Sequence, residues 1–308
     1  MSDSERPKIW LIRRQSIKHK WQVPFIFCVE WPCEWISYWL KEWAFLDILA
    51  RLGHLAVIVA VIFYFADSQT RQKAKHYQAW QVINLAQGKT GSGGRKDALQ
   101  DLHKYGINLS GVDVSQAYLP QLELDNAWLS KANLSKANLF GAKLSHAVLQ
   151  YADLSEADVS EANLSGVFLT RANLSKTNLT HSNLFEAGLF EANLSEANLW
   201  LANLWRAKLV KANLSGANFS EANLSEADLS EANLSGANLS GANLWKSDLR
   251  AIKNWRDIKS IEKANISGVK NPPDRFIEWA MKNGAVKMKD EEWEKLQREK
   301  YQGQTKEK

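Results

Sequence analysis

The stretch of the sequence that most resembles a phosphate-binding loop is Gly88-Lys89-Thr90. In such a loop a Lys and a Thr at this spacing hold a nucleotide and its Mg²⁺. Such a loop needs a glycine five positions before Gly88, and Ile83 stands there. It also needs a preceding buried strand, whereas residues 76–87 have the pattern of a helix. We therefore interpret residues 88–96 (GKTGSGGRK) as a flexible Gly/Ser connector and not as a nucleotide site.

Other residues that can catalyse reactions or bind metals are sparse. The two cysteines, Cys28 and Cys33, are too few for a disulfide framework and lack the histidines that would complete a zinc site. His146 and His181 stand without an accompanying serine and acid, or a metal-ligand set. The sequence thus predicts no enzyme, with no catalytic, cofactor-binding or metal-binding residues.

The overall net charge of +5 conceals three segments of different charge. Residues 1–106 carry 15 Lys/Arg and 9 Asp/Glu, residues 107–249 carry 9 and 15, and residues 250–308 carry 15 and 10. The central segment, at 9 − 15 = −6, is acidic and lies between two basic ends. This pattern excludes a basic nucleic-acid-binding core and argues against nucleic acid as a partner.

Residues 1–66 have features of a membrane-associated region. Residues 55–66 are uncharged, and extension back to residue 44 reaches the roughly 20 residues that span a bilayer. Before them a tryptophan recurs every four residues, which places four indoles on one helical stripe suited to a membrane interface: Trp31, Trp35, Trp39 and Trp43. We predict a basic, Trp-rich interfacial segment at 1–43, a transmembrane helix at 44–66 and lipid as a partner. The alternatives are that residues 44–66 form a buried helix of a soluble domain and that the tryptophan stripe packs in a soluble core.

The basic residues around this region bear on its orientation. Arg71, Lys73 and Lys75 follow the apolar run, which predicts that the part of the chain after it is cytoplasmic. Six Lys/Arg residues among the first 20 oppose that orientation for a single pass but agree with it for a two-pass hairpin. We predict a single-pass membrane protein, and the hairpin stays open.

A repeat of five residues runs from Leu109 to Leu249. Its 29 central positions hold 26 Leu, with Val114, Val159 and Phe219 at the others. Ala stands two residues before the centre in 22 units, and Asn or Asp directly before it in 21. A period of five fits neither a helix nor a strand, so each unit must contain a turn, which Asn, Asp, Ser and Gly tolerate. A disordered tract would not keep the leucines in phase, and the segment is predicted to fold.

The pattern A-(N/D)-L-x-x, as in EANLSEADLSEANLSGANLSGANL, resembles the pentapeptide-repeat family over residues 107–249. The resemblance implies an all-β solenoid, a right-handed quadrilateral β-helix with four units per coil. It also implies that the central Leu and the preceding Ala point inward. We interpret the chain as a membrane-anchored bacterial member of that family.

Charges on the repeat support four units per coil. Lys136, Glu156, Lys176 and Glu196 lie two positions after their centres and twenty residues apart, and their signs alternate. Stacked coils would place such residues on one another, so alternation avoids repulsion. A spacing of fifteen is equally free of like-charge pairs, whereas spacings of ten and twenty-five are not.

The sequence also predicts where the coil is capped. We expect a helical linker and N-terminal cap at 67–106, closed by a helix at 98–102, and the β-helix at 107–270. Its register slips after Arg250, and one more unit follows, centred on Ile266. A capping helix and a charged, solvated tail complete the chain at 271–308, with Phe276, Ile277, Trp279 and Ala280 inward.

Large apolar residues at outward positions depart from the repeat pattern, which prefers polar residues there, and they predict where the chain functions. They form a candidate interaction surface: Trp128, Phe168, Phe185, Phe190, Trp200, Leu201, Trp205 and Trp245. Trp128, Val148 and Phe168 would stack on one face. Shielding of these residues by the tails of the chain is the alternative.

Together these features predict a non-enzymatic, membrane-anchored scaffold for an unidentified protein partner, with homo-oligomerisation also open. One alternative is a DNA-mimicking regulator of a topoisomerase, which the resemblance implies because some members of the family act in this way. The alternating charges and the predicted anchor argue against it. A second alternative is an accessory module of a membrane transport or signalling complex, which the sequence does not distinguish from the first function.

Overall fold

The computed structural model describes residues 32–33, 36–37, 44–289, 291–293, 295–296 and 298–299. The chain divides into two units, Met1–Lys73 and Ala74–Lys308. The described residues form α1 (Ala44–Leu85), α2 (Arg95–Lys104) and α3 (Phe276–Lys282), with a 3-10 turn at Trp255–Asp257 and helical residues at 32–33 and 36–37. Helical residues also occur at 291–293, 295–296 and 298–299. The four tryptophans predicted at a membrane interface, Trp31, Trp35, Trp39 and Trp43, lie outside the described residues.

Helix α1 contains the segment predicted to span a membrane, residues 44–66, and continues to Leu85. Over the described ranges, no helix combines the length and the apolar character needed to cross a membrane. The transmembrane helix predicted at 44–66 is therefore not supported.

The repeat forms a coil in which each turn takes twenty residues. Parallel backbone bridges join residues twenty apart, as between Asn133 and Asp153. The Leu134 N–H donates to the carbonyl of Asp153 in the next coil (2.7 Å), and the Asn133 N–H donates to the carbonyl of Val112 in the previous one (2.8 Å). The prediction of four units per coil is confirmed.

The coil has four faces, which we call A to D in chain order. Face A is centred on Leu109 and every twentieth residue after it, and faces B, C and D start at Val114, Leu119 and Leu124. Each face contributes one bridging residue per coil, so the described part of the chain holds isolated bridges and no longer strand. The reason is that a turn occupies the rest of each five-residue unit.

The core is a stack of inward side chains, as the resemblance implied. All 29 central residues are at most 2% exposed, including Phe219, the one aromatic centre. Where Thr177 or Ser182 replaces the inward Ala, its buried hydroxyl donates to a backbone carbonyl, at 2.8 and 2.7 Å respectively. Apolar burial stabilises each coil by about 2 kcal/mol per leucine before conformational entropy is subtracted.

The bend of each unit lies two residues after its centre. There φ is positive whether the residue is glycine or not, for example 58° at Lys136, 56° at Glu156 and 62° at Gly166. Of the four residue types that tolerate a turn, Ser and Gly lie in it, whereas the Asn or Asp that directly precedes a centre does not. Asn133 lies in the bridge instead, where its Oδ1 accepts a hydrogen bond from the N–H of Ser135 (3.2 Å) and so supports the turn from outside.

The N-terminal cap is organised around Arg95, which is 0% exposed. Its guanidinium donates to four backbone carbonyls of the chain that precedes α2: Ala86 (2.9 Å), Lys89 (2.7 Å), Ser92 (3.2 Å) and Gly91. Burial lowers the pKa of Arg95. Residues 88–94 are thus an ordered loop and residues 95–96 begin α2. The prediction of a flexible connector at 88–96 is wrong because these hydrogen bonds fix the backbone.

Helix α2 closes the first coil. Ala98, Leu99 and Leu102 are 6%, 1% and 0% exposed, as predicted for the N-terminal cap. Before the helix, Gly91 pairs with Ala117 in a parallel bridge, which attaches the ordered loop to the first coil. The cap is therefore built from both the loop and α2.

The predicted slip of register is confirmed near the C-terminal end. Asn233 pairs with Lys253 at a spacing of twenty, whereas Asn243 pairs with Asn265 at twenty-two. The two extra residues are accommodated at the 3-10 turn, whose Trp255 is 7% exposed.

The C-terminal cap packs α3 on this turn. The Trp255 ring lies 5.6 Å from that of Phe276 and 5.4 Å from that of Trp279. Phe276 and Ala280 are buried, while Ile277 and Trp279 are partly buried against the core. Trp293 is only 5% exposed, so the prediction of a solvated tail is wrong at this residue.

Candidate functional site

The outward apolar residues do not form one patch but four groups. The face A column contains Trp128, Val148 and Phe168, which pair in successive backbone bridges. The Trp205 corner lies between faces D and A and contains Phe185, Trp205 and Trp245. The Trp200 corner lies between faces C and D and contains Trp200 and Leu201. The fourth group, Phe190 and Val210, lies at the corner between faces A and B. The predicted residues are thus brought together within groups, and the groups differ in geometry.

The Trp205 corner combines aromatic rings with cations. The rings of Phe185 and Trp205 are 5.2 Å apart, and the guanidinium of Arg206 lies 4.8 Å from the Trp205 ring centre. The Lys246 Nζ lies 3.9 Å from the Trp245 ring centre, within the range of a cation–π interaction. Trp205 remains 37% exposed, so this corner presents a cation-flanked aromatic surface.

Ion pairs between coils position the Arg206 cation. Its guanidinium lies 3.6 Å from the Glu186 carboxylate and 3.0 Å from the Glu226 carboxylate. The hydrogen bond that Arg206 donates to Glu226, followed by the negative charge of Glu226, raises the pKa of Arg206. The residues lie twenty apart, as do Arg171 and Glu191 (2.6 Å), which agrees with the predicted alternation. Such exposed pairs contribute little to stability, so their effect here is orientation.

At the Trp200 corner the indole contacts a histidine, whereas the indoles of the Trp205 corner contact cations. The imidazole of His181 meets the Trp200 ring edge-on at 5.1 Å. Trp200 is 41% exposed, and Leu201 is half-buried. His181 thus serves as an aromatic contact beside an accessible indole.

Among the described residues no cluster of three or more His, Cys, Asp or Glu side chains is placed to hold a metal ion. The sequence interpretation missed three further accessible aromatic side chains of the coil. Tyr118 is 54% exposed, Phe140 37% and Tyr151 50%. Phe140 could have been found, because it stands directly after a centre, the same kind of position as Trp200.

The family model for pentapeptide repeats matches the chain in eight copies, over residues 107–146, 152–187, 187–225 and 217–252. No curated protein matches it. The pentapeptide repeat protein Rfr23 from the cyanobacterium Cyanothece 51142 is 49% identical and has a TM-score of 0.28. That match covers 28% of this chain and 58% of Rfr23, which is less than two thirds of the relative's length.

Two other solved structures are similar to the chain. HetL, a pentapeptide repeat protein involved in heterocyst differentiation regulation from the cyanobacterium Nostoc sp. strain PCC 7120, is 34% identical over 58% of this chain and 80% of HetL, with a TM-score of 0.26. QnrB1, a plasmid-mediated fluoroquinolone resistance protein, is 18% identical over 58% of this chain and 87% of QnrB1, with a TM-score of 0.33.

The matches to the repeat model agree with the twenty-residue coil and its inward Leu and Ala side chains. A right-handed quadrilateral β-helix is the fold that such repeats imply. The chain belongs to the pentapeptide-repeat family.

Proposed function

We propose that the protein is a non-enzymatic scaffold of bacterial origin that binds a protein partner through its aromatic corners. The observation that supports this proposal most directly is the accessibility of two indoles on a rigid coil, since Trp200 is 41% and Trp205 37% exposed. Trp and Arg are the residues that most often dominate binding at protein interfaces, and Arg206 lies against Trp205. A rigid backbone adds affinity, since little conformational entropy is lost when the partner binds.

The test is a pull-down with the full-length chain, in which Trp200→Ser and Trp205→Ser are combined. Serine is common at this position of the repeat, so the double variant should fold like the wild type. A specific partner should bind at least tenfold less well, because two anchors of roughly 1–2 kcal/mol each are lost. Phe140→Ser is the matched control, as Phe140 is similarly exposed and lies in the same column as Trp200, three coils away. Unchanged binding by the double variant would refute the proposal.

The proposal includes membrane attachment through α1, with the coil on the cytoplasmic side. In its support, apolar side chains of α1 are accessible, among them Val57 (63%), Ile62 (61%) and Phe63 (68%). Side chains of this kind can enter the apolar edge of a bilayer. Basic residues that follow, such as Arg71, favour the cytoplasmic side of the membrane.

Membrane attachment is tested by fractionation of cells that produce the full-length chain. The wild type should sediment with membranes and resist a high-salt wash, because apolar insertion is not screened by salt. Val57→Lys combined with Ile62→Lys should move most of the chain to the supernatant, whereas Tyr105→Lys, a change in the second unit, should not. Recovery of the wild type in the supernatant would remove attachment and leave the partner proposal standing. A role as an accessory module of a membrane complex would appear as co-purifying transport or signalling proteins.

A further inference from the structure

Face A differs from the other three faces of the coil in its bridging residues. On face B the Nδ2 of Asn193 donates to the Oδ1 of Asn173 (3.1 Å), and Asn213 donates to Asn193 in the same way (3.1 Å). Faces C and D carry equivalent bonds, for example between Asn218 and Asn198 (2.9 Å) and between Asn203 and Asn183 (3.1 Å). These ladders cover three faces with polar groups.

Face A lacks such a ladder over five successive coils. Eight of the 29 units have neither Asn nor Asp before the centre, and five of these eight lie on face A: Trp128, Val148, Phe168, Gly188 and Lys208. Trp128 is 59% exposed and Phe168 48%. An apolar column on a flat, accessible face is expected to be covered by another surface.

The order of side-chain sizes in the column indicates what covers it. Trp128, Val148, Phe168 and Gly188 follow one another, so a reversed copy of the column places Gly188 opposite Trp128 and Val148 opposite Phe168. A two-fold axis between Val148 and Phe168, perpendicular to the coil axis, generates this antiparallel arrangement. A parallel arrangement would instead place Trp128 on Trp128 and leave a gap between the two glycines.

The charges at the edge of face A agree with this axis. Lys131, Tyr151, Arg171 and Glu191 lie in one row, and the same axis brings Lys131 opposite Glu191 and Tyr151 opposite Arg171. Lys131 makes no ion pair within the described ranges. A different axis, between Phe168 and Gly188, would place Trp128 against Asp228 and Val148 against Lys208. An axis through Val148 would place Trp128 against Phe168 but also Lys131 against Arg171, which are like charges. The first axis avoids both faults.

We propose that face A is the interface of an antiparallel homodimer, in which Trp128 of one protomer packs on Gly188 of its partner and Lys131 pairs with the partner's Glu191. This goes beyond the proposed function, since it uses neither Trp200 nor Trp205. The aromatic corners remain accessible for a different protein.

The test is a disulfide cross-link in the full-length chain with Cys28→Ser and Cys33→Ser. Trp128→Cys and Gly188→Cys are combined, and a mild oxidant is added. Within one protomer the two positions are three coils apart, about 14 Å, which is too far for a disulfide. In the dimer they face each other, so more than half of the chain should become covalent dimer, and neither single variant should cross-link.

The matched control is Asn138→Cys with Asn198→Cys, which has the same separation on face C and should give no covalent dimer. Adding Lys131→Glu to the face A pair should lower the cross-linked fraction several-fold, and adding Glu191→Lys as well should restore it. Absence of the face A cross-link in the folded chain would overturn the proposal. So would equal cross-linking of the control pair, or efficient cross-linking by Trp128→Cys alone.

Discussion

At the scale of single residues, the bend of each repeat unit imposes a restriction that the side chains obey. The non-glycine residues with positive φ are Gln, Asn, Lys, His, Tyr, Glu, Arg, Leu and Ala, and none is β-branched. A branched Cβ in the left-handed region clashes with the neighbouring backbone. The position therefore tolerates many side chains, charged ones included, but not Val, Ile or Thr.

This restriction predicts the effect of a single substitution. Glu161 has φ 58° and lies at a bend, so Glu161→Val should lower the free energy of unfolding by about 1–2 kcal/mol more than Glu161→Ala. Ser195→Val is the control, since residue 195 lies directly after a centre, where Val210 occurs naturally. Urea denaturation followed by circular dichroism measures the difference. Equal stability of the two Glu161 variants would contradict the strain argument.

Individual residues also show how far the sequence predicts this structure. The leucine period predicts one inward side chain in every five residues, whereas the four units per coil are what the resemblance to the family implies. Arg95 was not predictable, since Gly and Ser around it suggest flexibility and its burial depends on carbonyls from Ala86 to Ser92. Among the outward aromatics, sequence spacing gave the columns. It did not give the contacts of Trp205 or Trp245, which depend on the side-chain conformations of Arg206 and Lys246.

At the scale of elements, the caps protect the ends of a coil whose backbone would otherwise be open to further pairing. The N-terminal cap depends on one side chain, because the Arg95 guanidinium holds four carbonyls of residues 86–92 in place. The C-terminal cap depends on the contacts of Trp255 with Phe276 and Trp279. Loss of either set of contacts should first open the adjacent coil.

The N-terminal cap can be tested through its buried cation. Arg95→Met removes four hydrogen bonds, but the carbonyls of Ala86, Gly91 and Ser92 each keep a backbone N–H donor. The Lys89 carbonyl is left without a donor, so we expect a loss of about 1–3 kcal/mol in cap stability. Amide hydrogen exchange should accelerate in α2 and around Ala117, while exchange at Phe219 stays slow. Lys96→Met is the control, because Lys96 donates a single bond to the Pro120 carbonyl (2.8 Å) and should cost less than about 1 kcal/mol. Unchanged amide exchange in Arg95→Met would show that the loop keeps its conformation without the Arg95 hydrogen bonds.

At the scale of the whole molecule, the distribution of charge decides between a scaffold and a DNA mimic. Duplex DNA carries one negative charge per roughly 1.7 Å of its axis. Here residues 107–249 carry a net −6, and cations interrupt the acidic rows: Lys136, Lys176, Arg206 and Lys211 each lie within 4.0 Å of a glutamate carboxylate twenty residues away. Such rows do not reproduce a continuous line of phosphates.

We therefore expect the full-length chain to leave DNA supercoiling by gyrase unchanged and not to displace DNA from the enzyme. The informative control changes these four cations to glutamate, which lowers the net charge of residues 107–249 by 8, from −6 to −14, on the same coil. If the interrupted rows are the reason for inactivity, only this variant should compete with DNA, and more weakly as salt is added. Circular dichroism would show that the variant keeps the coil despite the added repulsion. Inhibition by the unchanged chain would restore the topoisomerase alternative, since its surface would then bind the enzyme without a continuous acidic row.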